Sequence, residues 1–235
     1  MDSSEDRDEK VKAMKRVTAI LFFVLIAASS ASGAGKDLEV HGRVVVSKTP
    51  SFSLTVPSDL QWVHSASADH PEESSVTRTF LLVKEGSKEI EEMLIVQIAD
   101  KTNPQAGPMV VPPMKPYAEK KMYLKGKVQK GEIGVESMIQ LMAWNPAASS
   151  LQPIVQKGMK IPSHWALQTQ ILFQPRLESA VSLRYSKDIH SFGLKVSDEG
   201  KNWDQESISG NEKKVYESFR NAVSRMIESL RFQAP

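Results

Sequence analysis

Residues Asn211 to Leu230 read NEKKVYESFRNAVSRMIESL. Val215, Phe219, Ala222, Val223, Met226, Ile227 and Leu230 recur at steps of three and four, with Lys213, Lys214, Glu217, Arg220, Asn221, Arg225 and Glu228 between them. The spacing predicts an amphipathic helix with one broad apolar face. Ser209, three positions before Glu212, fits a capping box: the hydroxyl accepts from an early helical N–H and the carboxylate reaches back. Such a face does not stay in water, so a sheet or a second helix must cover it.

Upstream, the chain reads as strands. Gly42 to Lys48 is rich in β-branched residues, and Ser51 to Val56 alternates with Phe52, Leu54 and Val56 on one face. Thr77 to Val83 and Met93 to Ala99 form the clearest pair, joined through a charged stretch in which Gly86 offers the turn. Trp165 to Phe173 and Ala180 to Tyr185 alternate as well and predict a second hairpin. Residues 103–116 hold five prolines, which fix φ and lack the amide donor, so this stretch is expected to be an extended loop or crossover. Tyr117 to Val128 is expected to be a short helix interrupted near Gly126. Gly134 to Trp144 fits either a helix or a buried strand, and Ile154 to Ile161 is a weak strand candidate. The fold class expected from these elements is α+β, a central antiparallel sheet with helices packed on its faces and a long amphipathic C-terminal helix.

The chain has 235 residues, with 30 basic and 28 acidic side chains and a net charge of +2. That balance does not predict nucleic-acid binding. Cysteine is absent, which excludes thiol catalysis, Cys-ligated metal centres, disulfides and lipoprotein anchoring through cysteine. Lys15 and Arg16 precede an apolar run from Val17 to Ala28, and small residues follow to Gly35. This is the pattern of a secretory signal over residues 1–34, with Met14 as an alternative start. The run falls short of the roughly 20 residues of a membrane span, so no stable span is expected after cleavage. Residues 35–235 are expected to form one domain, outside the cytoplasm.

Two segments bear on family. One is Ser51-Phe52-Ser53-Leu54-Thr55-Val56-Pro57 followed by Trp62; the other is the ending Ser229-Leu230-Arg231-Phe232. Together they resemble the PsbP-like family. The resemblance implies an α/β/α sandwich on a central antiparallel sheet, and a binding or assembly role. It carries no catalytic residue.

No chemistry is encoded locally. The histidines (His41, His64, His70, His164, His190) show neither HxH nor HxxxH spacing. Nucleophile elbows, S-x-x-K, phosphate loops and dinucleotide fingerprints are missing. No catalytic residue, cofactor or metal ligand is therefore assigned. Trp144 and Trp203, beside loops, and Lys120, Lys121 and Tyr123, in the one basic cluster, are the candidate partner contacts. The leading expectation is an exported, non-enzymatic binding or assembly domain that contacts a partner protein or a cell-envelope component. Two others stand beside it. One is a hydrolase or isomerase with a site assembled from dispersed residues, His164 or His190 near Trp144. The other is a carrier of small apolar ligands beneath the terminal helix, lined partly by Met138, Met142 and Met226.

Overall fold

The computed structural model describes residues 37–87 and 89–232. The expected signal segment over 1–34 and the alternative start at Met14 lie outside the described residues. In chain order the strands are β1 (Leu38–His41), β2 (Val44–Lys48), β3 (Ser51–Thr55), β4 (Gln61–His70), β5 (Ser75–Glu85), β6 (Ile90–Lys101), β7 (Met122–Lys130), β8 (Ile133–Ala143), β9 (Trp165–Arg176), β10 (Ser179–Asp188) and β11 (Arg231–Phe232). Two α-helices occur among the described residues, α1 (Gln152–Gln156) and α2 (Gly210–Ser229).

The strands make two antiparallel sheets. The larger has the order β4-β5-β6-β10-β9-β8-β7, and the smaller β1-β2-β3-β11. The inner face of the large sheet packs against the small sheet and α2 in one core. Phe80, Leu82, Leu94, Val96, Ile98, Leu183 and Tyr185 come from the large sheet, Val45, Phe52 and Leu54 from the small one, and Val215, Phe219, Val223 and Met226 from the helix. Phe219 stacks on Tyr185 with ring centroids 5.8 Å apart, and Phe52 meets Phe173 edge-on at 5.4 Å. Arg78 ties the sheets together from β5: it donates to Asp37, to the Thr49 carbonyl and to Asp100 of β6.

The outer face of the large sheet is covered by two irregular stretches. Trp144, Leu151, Ile154 and Ile161, around α1, pack on Leu81, Val83, Met93 and Ile95. The proline-rich crossover from β6 to the far edge strand β7 lays Met114 on Met138 and Leu172.

This architecture corrects the expected fold class. The protein is mostly β, two antiparallel sheets rather than a sheet sandwiched by helices, and the α/β/α sandwich implied by the family resemblance is not what forms. The mid-chain helices are where the expectation failed. Tyr117 to Val128 is a 3₁₀ turn, Glu119–Lys121, running into edge strand β7. Helix-forming lysines misled there, whereas Gly126 and the register with β8 favour extension. Of the two readings open for Gly134 to Trp144 the buried strand is the one that forms: β8 runs as far as Ala143, and because both its faces are covered its apolar residues do not alternate cleanly. Ile154 to Ile161 begins in α1 instead of a strand, with Pro153 in the first turn.

The capping box is also absent. The Ser209 hydroxyl makes no cap bond, and the chain enters α2 through Gly210 at φ +56. Glu212 Oε1 accepts instead from the Ser197 amide at 2.9 Å, which fastens the preceding loop. Ser209→Ala should therefore change stability by no more than about 0.5 kcal/mol. Glu212→Ala should cost roughly 0.5–1.5 kcal/mol, the net worth of one such bond. Parallel urea titrations read both, and a cost near 1 kcal/mol for Ser209→Ala on the N-cap scale would restore the box.

Candidate functional site

Of the five candidate contacts, three converge. Trp203, in a 3₁₀ turn before α2, is fully buried and donates from Nε1 to the Ser197 carbonyl at 2.8 Å. Tyr123 donates to the Trp203 carbonyl at 2.5 Å, and burial, aided by the negative charge of Asp204, pushes its pKa well up. Lys121 donates to the Gly200 carbonyl at 2.5 Å and to Asp204 at 2.8 Å, with its ammonium 5.3 Å from the Trp165 ring centroid. Together they clamp the 200–205 loop to the start of β7. Lys120 is exposed, and its backbone carbonyl accepts from the Gln205 amide at 2.7 Å. Trp144 is 5 % exposed and packs under the other covering segment. Neither tryptophan presents a surface, so the exposed-aromatic reading of Trp144 and Trp203 does not hold. The methionines proposed to line one apolar site also separate. Met226 belongs to the buried face of α2, on the inner side of the large sheet, whereas Met138 packs on the opposite face of the sheet, where Met142 opposes Ala166.

The two histidines of the enzymatic reading do meet. Their rings are edge-to-face with centroids 4.4 Å apart. His190 Nε2 lies 2.7 Å from Asp198 Oδ1. His164 Nε2 lies 2.5 Å from Asp188 Oδ2, at ion-pair distance but without hydrogen-bond angles. Asp188 also accepts from the His190 amide, so one carboxylate positions both residues.

The feature that strand reading passed over is a polar stripe across the outer face of the large sheet. Cross-strand register places Thr79, Gln97 and Ser182 in one row, Arg184 and Gln170 in the next, and Ser186, Gln168 and Gln140 in a third. The third row is well bonded. Gln168 Nε2 donates to Ser186 at 3.1 Å, Gln140 Nε2 to Gln168 at 3.2 Å, and the Tyr117 amide to Gln140 at 2.6 Å. The first two rows are slack, with Gln97 to Thr79 and Gln170 to Ser182 both at 3.4 Å. In their midst Arg184 Nη2 donates to Gln97 Oε1 at 2.8 Å, while Nε is buried and without a partner. Burial lowers the pKa of this guanidinium. No ion pair with a carboxylate offsets that burial among the described residues. The signal was present as Gln168 and Gln170 alternating with Leu167, Thr169 and Ile171, but its meaning needs the partner strand.

Among the described residues no group of three or more His, Asp or Glu side chains is placed to hold a metal, and no helix is long and apolar enough to cross a membrane. No protein-family model matches the chain, and neither a curated protein nor a solved structure matches it.

Proposed function

We propose that the protein is an exported, non-enzymatic binding module that holds its ligand, or a group of its partner, on the polar stripe of the large sheet. The stripe carries the reading. Between two apolar patches a sheet face is ordinarily filled by aliphatic side chains, because amides and cations are costly to desolvate. Here amides, hydroxyls and one guanidinium occupy it, and the rows around the guanidinium are incompletely bonded. Export is supported by the Lys15-Arg16, apolar-run and small-residue pattern.

The test is recovery of the exported chain from its native source, followed by non-denaturing mass spectrometry. The mature chain should begin at Gly35 and carry an adduct. A Gln168→Leu/Gln170→Leu chain, folded by circular dichroism, should lose most of that adduct. Equal retention by both chains would remove the stripe as the binding surface.

A second reading, an acid–base enzyme, is favoured by the contacting His164 and His190 rings, each facing an aspartate. It requires turnover that disappears in His164→Ala while the adduct is retained.

A further inference from the structure

We propose that Arg184 is the anchor for the carboxylate of a small hydroxylated acid, such as a sugar acid. This deepens the binding reading above and rests on it.

The guanidinium can form a two-point contact. It has five donors in a fixed plane, which match the two oxygens of a carboxylate. One nitrogen, Nη2, is engaged by Gln97; Nε has no acceptor, and Nη1 has none among the described residues. Nη1 is not among the buried unpartnered atoms, so it is the nitrogen that an arriving anion meets first.

Charge balance narrows the anion. The residues that the register sets nearest Arg184 in the slack rows, Thr79, Gln97, Ser182 and Gln170, are neutral; the next charged side chains along these rows, Lys125 and the paired Lys127 and Glu136, lie on β7 and β8 beyond Met138 and Leu172. One positive charge matches one carboxylate. A phosphate dianion would leave a charge uncompensated on a face where solvent is partly excluded.

The neighbours also narrow the body of the ligand. Gln170 and Thr79 are half-buried like Arg184 itself, so this part of the stripe is reachable. The 3.4 Å contacts of Gln97 and Gln170 leave amide donors and acceptors that a ligand hydroxyl can take over at shorter range. Amides and hydroxyls around a guanidinium fit a polyhydroxylated acid better than an acyl chain, which would strand them without partners.

The experiment is isothermal titration of the mature chain with glucuronate, glucose, inorganic phosphate and octanoate, repeated on Arg184→Met and Arg184→Lys. Glucuronate should bind, glucose and octanoate should not, and phosphate should bind at least tenfold more weakly. Arg184→Met should weaken glucuronate about 10- to 100-fold, the worth of a charge-assisted pair, and Arg184→Lys should recover part of it. Thermal melts of the same chains supply a second readout. A guanidinium kept for a ligand is a burden to the empty fold, so Arg184→Met should melt no lower than wild type. A lower melting temperature with unchanged glucuronate affinity would make Arg184 a packing residue and overturn the proposal. Stronger binding of octanoate or phosphate would overturn the ligand class. If glucuronate fails while the native adduct still depends on Gln168 and Gln170, this inference falls and the binding reading stands. If the adduct ignores those glutamines, the binding reading itself falls.

Discussion

Replacing Glu92 by alanine should lower the unfolding free energy by about 3–5 kcal/mol, the cost of removing one member of a buried ion pair. Glu92 has no solvent-exposed surface. It accepts from the Tyr185 hydroxyl at 2.6 Å, from Lys187 at 2.9 Å and from Ser58 at 2.9 Å. Burial alone would raise its pKa. The bonds from Tyr185, Lys187 and Ser58, with the charge of Lys187, outweigh it and hold the carboxyl below the ordinary value of 4.5. Because the folded value is depressed, the stabilisation is fully present above pH 4.5 and is lost as pH falls through the lower, folded value. Urea unfolding of wild type and Glu92→Ala at neutral pH, and then stepwise into acid, reads both effects. The gap between the two chains should narrow on acidification. A neutral-pH loss of only about 1 kcal/mol, the scale of an exposed pair, would contradict the buried network.

Trp203→Ala should cost about 3–5 kcal/mol as well, for a different reason. The indole is fully enclosed and its N–H is spent on the Ser197 carbonyl; the Trp203 backbone carbonyl that accepts from Tyr123 is kept in the alanine chain, so the cost is that of the lost side chain. Truncation leaves a void where the 200–205 loop, β7 and α2 meet. The chain should melt at a lower temperature, and ligand affinity per folded molecule should stay as it was. A variant of wild-type stability that loses its partner would return Trp203 to the surface role read from its loop position.

The contrast between those two tryptophan readings shows what one-dimensional patterning holds. Thr77–Val83 and Met93–Ala99 were legible as strands, and β5 and β6 extend them at both ends, because long β-branched runs punctuated by glycine leave few alternatives. The buried face of α2, Val215, Phe219, Val223 and Met226, was legible from period alone. Tyr117–Val128 was not. Lysine favours helices in isolation, and only the hydrogen bonds of β8 make that stretch extended. Trp203 was misplaced because a polar loop was taken to be an exposed one. Arg184 was unreadable for a deeper reason. A cation in an alternating strand is ordinary, and its lack of a carboxylate depends on what β6 and β9 set beside it, Ile95 and Gln170, which lie 89 and 14 positions away along the chain.

The small sheet has a kinetic consequence. Its third strand is completed by β11, and the Thr55 amide bonds the Ser229 hydroxyl across a separation of 174 residues. Contacts so distant in sequence form slowly, because closing the intervening loop precedes any gain from them. A polypeptide emerging from its N-terminus can assemble the β4–β6 meander early, but the lid over the inner face cannot shut until the tail arrives.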